Sequence, residues 1–267
     1  MKRKLIATVI VFLVGSCSFS EVLWAQEGRS GTGDIEFSGK EDPNLKIRHP
    51  ETLEGADPGV VASTKGALRI DFAPQLSFDV GNISKKDAKY LVNAQLYKDD
   101  MGPSGNFVQV SDYRGNTTGW KLQVRQESQF QQGEHPENQL NGAVLSFDKA
   151  WTNTSVENPS NAPLVSKEVV QMNNIGETYT LADATFEDVA GAGTWNIVFG
   201  ASKDNTNDQD VTLSPRLNKT GEVITDPDFN NQEVYTNSAI NLSIPGATKK
   251  VSGTYSTVLT WIIAELP

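Results

Sequence analysis

A chain of 267 residues with 33 Asp+Glu against 23 Lys+Arg, a net charge of −10, is long enough for one large β domain or two small ones. The acidic balance argues against nucleic acid and anionic membrane surfaces as partners. A single cysteine, Cys17, excludes a disulfide framework.

Met1-Lys-Arg-Lys4 is a basic n-region, and Leu5 to Val14 is an apolar run too short to span a bilayer. Together they predict a secretory signal peptide over residues 1–25, cleaved after Ala25. A second reading competes: Val14-Gly-Ser-Cys17 resembles a bacterial lipobox, and processing there leaves a lipidated Cys17. Cleavage after Ala25 removes three basic residues and one acid, leaving 20 Lys+Arg against 32 Asp+Glu. The mature chain then carries −12, with no cysteine and no transmembrane segment.

Residues 26–65 are rich in Gly, Pro and charge. Asp34-Ile-Glu-Phe37 alternates and predicts one short strand. The rest reads as an extended arm turning at Asp42-Pro43, His49-Pro50 and Asp57-Pro58. From residue 66 to residue 267 the pattern is that of a β domain. Leu68, Ile70 and Phe72 alternate with polar residues, Pro74 interrupts, and Leu76, Phe78 and Val80 resume. Ser84 to Tyr90 admits one or two helical turns at most. Phe107 to Val110 is a strand, and Ser111 to Asn116 a turn cluster. In Gly119-Trp-Lys-Leu-Gln-Val-Arg125, Trp120, Leu122 and Val124 share one face. Further strands are expected at Ala143–Phe147, Val165–Val170, Trp195–Phe199 and Ile240–Ile244.

The stretch from Gly253 to Pro267 also reads at period two. Tyr255, Thr257, Leu259, Trp261 and Ile263 lie on one face; Ser256, Val258, Thr260 and Ile262 lie on the other. No window of twelve residues carries a helical stripe. The prediction is an all-β fold: an antiparallel β-sandwich or barrel-like single domain with short turns. The two Trp strands lie 141 residues apart and share a pattern, which predicts non-local pairing and slow folding.

The candidate binding residues are Trp120, Leu122, Trp261, Ile263 and Tyr255. Alternation along a strand argues that the Trp motifs pack the core. The alternative is an aromatic platform for sugar rings or a protein partner, and one Trp inside with one at a groove combines the two. Asp112 and Arg114 form either a turn-stabilising ion pair or a polar lip. Asp204-Asn-Thr-Asn-Asp-Gln-Asp210 and Asp226-Pro-Asp-Phe-Asn-Asn231 place oxygens as Ca²⁺ loops do, but the first lacks the central Gly and bidentate Glu of an EF-hand. Plain turns are expected there, with no metal and no cofactor. His49 and His135 each precede a proline and have no ligand spacing. No nucleophile elbow, zinc-binding helix or phosphate loop is present, so no catalytic residue is assigned.

Four ordered segments resemble the WxL-domain proteins of Gram-positive bacteria. Gly66-Ala-Leu-Arg-Ile-Asp-Phe-Ala-Pro-Gln-Leu-Ser-Phe78 is similar to the family's opening strands. Asp112-Tyr-Arg-Gly115 with Gly119-Trp-Lys-Leu122 is similar to its first WxL segment. Ile244-Pro-Gly-Ala247 with Gly253-Thr-Tyr-Ser-Thr-Val-Leu-Thr-Trp261 is similar to its second, with Ile263 where that pattern has Leu. The resemblance implies a secreted cell-surface protein attached non-covalently to the cell wall through peptidoglycan. It also implies WxL-interacting membrane-anchored proteins and other WxL proteins as partners. The rivals are a lipoprotein carrying the same domain and a wall-glycan hydrolase. A mature charge of −12 opposes an anionic wall, so retention is expected to hold or rise with salt. Local exceptions are confined to two lysine clusters, Lys85, Lys86 and Lys89, and Lys249 and Lys250.

Overall fold

The computed structural model describes residues 28–31, 46–78, 81, 83–114, 119–133, 135–155, 161–185 and 190–265. The expected signal peptide, Cys17, the strand at Asp34–Phe37, the Asp42-Pro43 turn, Val80 and the end of the turn cluster after Arg114 lie outside them.

Three antiparallel sheets carry the fold, and none closes into a barrel. The first runs in the order β1 (Gly28–Gly31), β18 (Leu259–Glu265), β5 (Trp120–Gln126), β12 (Thr178–Asp183), β10 (Leu164–Val165). The second runs β11 (Val170–Met172), β8 (Val144–Phe147), β17 (Tyr235–Ile244), β14 (Leu213–Pro215), with β3 (Ala88–Asn93) also paired to β17. The third runs β2 (Leu68–Phe72), β4 (Asn106–Asp112), β13 (Gly193–Phe199), β9 (Ala150–Thr154). Two ribbons, β6 (Gln131–Gln132) with β7 (His135–Gln139) and β15 (Thr225–Asp226) with β16 (Gln232–Glu233), decorate the loops.

The main core lies where the three sheets meet. Sheet one contributes Trp120, Leu122, Val124 and Trp261; sheet two, Val92, Leu145, Phe147 and Ile240; sheet three, Ile70, Val108, Val110, Trp195 and Ile197. β4 is buried along its whole length because both its faces are covered. Val108 and Val110 face the main core, whereas Phe107 joins Ile47, Phe72, Tyr97, Trp151 and Val198 in a second cluster. Residues 46–64 help close that second face. Arg48 N donates to Gln109 Oε1 at 2.9 Å, and Thr64 Oγ1 accepts from Ile70 N at 2.9 Å. A third cluster, Phe130, Leu140, Ala143, Leu242 and Ile244, sits at one end of sheet two.

The two Trp strands are neighbours, as their shared pattern predicts. β18 pairs β5 antiparallel with Trp261 opposite Val124, Ile263 opposite Leu122 and Glu265 opposite Trp120. Opposite residues in a ladder share a face, so both motifs point into the main core. Elsewhere the structure departs from the sequence expectation. Ser84–Tyr90 contains no helical turn; the chain bends at Lys85-Lys86 and enters β3. Val165–Val170 is not one strand: Leu164–Val165 pairs β12 in sheet one, and Val170–Met172 pairs β8 in sheet two. The residues between are a crossing from one sheet to the other. The terminal strand starts at Leu259, not Gly253. Before it the chain turns at Gly253, at φ +144°, and meets β6 through the bridge Ser256–Gln131 and through Gln132 Nε2, which donates to Ser252 O at 2.8 Å.

Candidate functional site

The two Trp motifs share a ladder but not an environment. Trp120 is fully buried, and its indole N–H donates to Gly191 O at 3.2 Å. Gly191 sits at φ +71°, and a Cβ there would lie 2.6 Å from the indole nitrogen. Trp151 and Trp195 are also buried, with indole N–H groups donating to Gly200 O and Ala192 O, each at 2.9 Å. Trp261 packs edge-on against Phe147, with ring centroids 6.1 Å apart. No acceptor among the described residues meets its N–H, and one side of the ring lines an open cleft. Leu122 is fully buried beside Trp120; Ile263 is half-buried at the edge of the core.

The cleft has a volume of about 840 Å³, within the range of small-molecule sites. It exists because residues 250–258 arch over the end of sheet two instead of continuing β18 as a strand. Its floor is Leu145, Leu242, Ile244 and Trp261, and its walls carry Phe78, Tyr90, Phe130 and Tyr255. Phe78 and Phe130 meet edge-on at 6.3 Å. The Tyr255 hydroxyl accepts from Val251 N at 2.8 Å and donates to Val251 O at 3.0 Å. That double tether fixes the ring, so little side-chain entropy remains to be lost when a ligand stacks on it. Among the described lining residues none is acidic, and Lys250 is the single charged one.

Of the five residues singled out in the sequence, Trp261 and Tyr255 therefore meet at the cleft. Trp120, Leu122 and Ile263 do not line it. Phe78, Tyr90 and Phe130 carried no signal as site residues. Phe78 reads as an ordinary strand position, and the other two gain their place only from contacts distant in sequence.

Asp112 and Arg114 lie at the other end of the motif ladder and act as a lock. Arg114 grips the buried Asp112 carboxylate with Nε and Nη2 at 2.9 and 2.8 Å. Nη2 also donates to Gly119 O at 3.1 Å, and Nη1 pairs with Glu265 at 2.6 Å. The Asp112 hydrogen bond is the main reason that the guanidinium pKa is raised. One side chain thus ties the end of β4 to the start of β5 and the end of β18.

The Asp204–Asp210 loop closes on itself. Asn205 Oδ1 accepts from Asn207 N and Gln209 N, and Lys149 pairs with Asp210 at 2.8 Å. Among the described residues no group of three His, Cys, Asp or Glu side chains is placed to hold a metal. The described cleft lining holds no carboxylate, histidine or cysteine, and its surface is largely apolar and hydroxyl-bearing. No helix among the described residues is long and apolar enough to cross a membrane.

A family model described as WxL domain, surface cell wall-binding, matches residues 26–267. No curated protein and no solved structure matches the chain.

Proposed function

Since the chain belongs to the WxL family of surface cell wall-binding domains, we propose that it attaches non-covalently to peptidoglycan as a secreted, non-enzymatic surface protein. In this reading it works within a surface assembly with other WxL proteins and WxL-interacting proteins. The observation that supports it best is the aromatic cleft built around Tyr255 and Trp261 of the second motif. Sugar rings present apolar C–H faces that stack on aromatic side chains, and their hydroxyl and acetamido groups suit the Ser, Thr and Gln positions of the same lining. The test is co-sedimentation of the purified mature chain with peptidoglycan sacculi stripped of secondary polymers. Retention of the protein in the pellet is expected. Protein left in the supernatant overturns peptidoglycan attachment, and release of soluble muropeptides overturns the non-enzymatic reading.

A further inference from the structure

The two lysine clusters, about 160 residues apart in the chain, form one patch in the fold. β3 pairs β17 with Lys89 opposite Ser243 and Ala88 opposite Ile244. The loop before β3 therefore lies against the turn after β17. Gly246 N donates to Asp87 Oδ1 at 2.7 Å, and a Cβ on Gly246 would come within 2.2 Å of Lys85 O. Lys250 clamps the two loops. Its ammonium donates to Ser84 O, Pro245 O and Thr248 O at 3.1, 3.0 and 3.2 Å, which uses all three of its donors. The four other lysines, Lys85, Lys86, Lys89 and Lys249, are exposed, and no ion pair engages them among the described residues. Asp87 is the one acid in the two segments that carry them.

This patch borders the cleft directly. Ile83 and Val251, which flank the lysine segments, are exposed apolar residues of the cleft lining, and Lys250 lines it too. A strongly acidic protein thus places a group of unpaired cations beside its aromatic cleft. At physiological salt the Debye length is about 8 Å, so a ligand in the cleft responds to these lysines more than to distant carboxylates.

We infer that the cleft and its lysine rim form one site for an anionic glycan, namely the muropeptide unit of peptidoglycan. The saccharide stacks on Tyr255, Tyr90 and Phe78, and the stem-peptide carboxylates lie on Lys85, Lys86 and Lys249, whereas Lys89, opposite Ser243, is on the other face of β3. An acyclic polyol phosphate would satisfy the lysines but leave the aromatic walls unused, which favours the muropeptide. This rests on the wall-attachment reading and adds a location, a ligand charge and a salt dependence. Binding at this rim weakens as salt rises, opposite to the trend expected from net charge alone.

The test titrates full mature chain with a soluble disaccharide tetrapeptide, followed by tryptophan fluorescence, beside co-sedimentation with stripped sacculi. Three proteins are compared: the parent, a rim variant with Lys85→Glu, Lys86→Glu and Lys249→Glu, and a control with Lys167→Glu, Lys203→Glu and Lys219→Glu. Both variants change the net charge equally, and the substituted side chains are exposed, so both are expected to keep the parent's melting curve. The rim variant is expected to lose about tenfold or more in muropeptide affinity and the control less than about twofold, as exposed charge pairs of modest individual strength imply. Equal affinity of the two variants overturns the site while leaving wall attachment standing. A parent that sediments with sacculi but ignores the muropeptide, or needs sacculi that still carry phosphate polymers, also overturns it. A parent that binds neither overturns both.

Discussion

His49 shows how a residue without a chemical role still sets a measurable property. It is buried, its ring meets Tyr97 at 4.9 Å, and its Nδ1 faces the backbone N–H groups of Glu51 and Thr52 at 3.3 Å. Nε2 lies 3.2 Å from Gly102 O. This arrangement suits the neutral ring, with Nε2–H donating and Nδ1 accepting. Burial lowers the pKa below its usual 6.5, outweighing the nearby Glu51 charge. The unfolded chain therefore takes up a proton near pH 6.5 while the folded chain does not. The stabilisation is full above that pH and is lost as pH falls from 6.5 through the lowered folded value. Urea midpoints are expected to fall between about pH 7 and pH 5, before ordinary carboxylates titrate near pH 4. In His49→Gln this part of the slope should vanish; an unchanged slope would show that another group is responsible. The tryptophans make a second contrast at this scale. Trp120→Ala and Trp261→Ala are each expected to cost about 3–5 kcal/mol, because both rings pack the core. Trp261→Phe, which keeps an aromatic ring against Phe147, should recover most of that stability yet change muropeptide affinity. Trp120→Phe should leave affinity untouched, since Trp120 does not reach the cleft. Fluorescence titration of the two Phe variants checks this, and equal binding by both would remove Trp261 from the site.

At the scale of elements, the Arg114 lock explains why the first motif extends upstream of its Trp. Asp112 is almost fully buried, and Arg114 meets its carboxylate with a two-pronged contact. Arg114→Ala strands that carboxylate and releases Glu265, and is expected to cost about 3–5 kcal/mol. Arg114→Lys should recover little, because an ammonium cannot reproduce the fork that also reaches Gly119 O. Chemical denaturation of the three proteins measures it; a loss below about 1 kcal/mol would mean that the pair acts as an ordinary surface bridge. The same contrast explains which elements were legible in the sequence. β5 alternates between buried and half-buried along its length, so period two was plain. β3 was hidden because Ser84-Lys-Lys-Asp87 suits a turn or a helix start, and its strand character comes from pairing with β17, about 150 residues away. β9, Ala-Trp-Thr-Asn-Thr, was missed because just one of its five residues is buried, although that residue is Trp151. β12 was missed for a similar reason: Thr178, Tyr179 and Thr180 are not buried, and the apolar signal is confined to Leu181 and Ala182.

At the scale of the molecule, what the sequence could not show is what assembles from remote pieces. The cleft draws on residues 74–78, Gly81 and Ile83, on residues 128–131 and on residues 250–261, and the lysine patch on two clusters that look unrelated in one dimension. The closing strand is the element on which this assembly turns. β18 lies between β1 and β5 in sheet one, and its Trp261 reaches across to Phe147 of sheet two. Removing residues 259–267 would expose the edge of β5, deprive β1 of its partner and open the junction of the three sheets. Losing the buried Trp alone costs about 3–5 kcal/mol, against a typical total stability of about 5–15 kcal/mol. Thr260 and Ile262 are buried as well, so the remaining margin is small. The shortened chain is therefore expected to lose cooperative unfolding and to aggregate through the uncovered β5 edge. Full-length protein should refold slowly, on the order of milliseconds to seconds, since β5 cannot be capped until a strand over 130 residues later arrives. Melting and size-exclusion runs on the shortened chain decide the first point, and stopped-flow refolding of the full chain the second. A truncated protein that stays monomeric and melts cooperatively would show that β18 is an addition to a self-sufficient fold and not the strand that closes it.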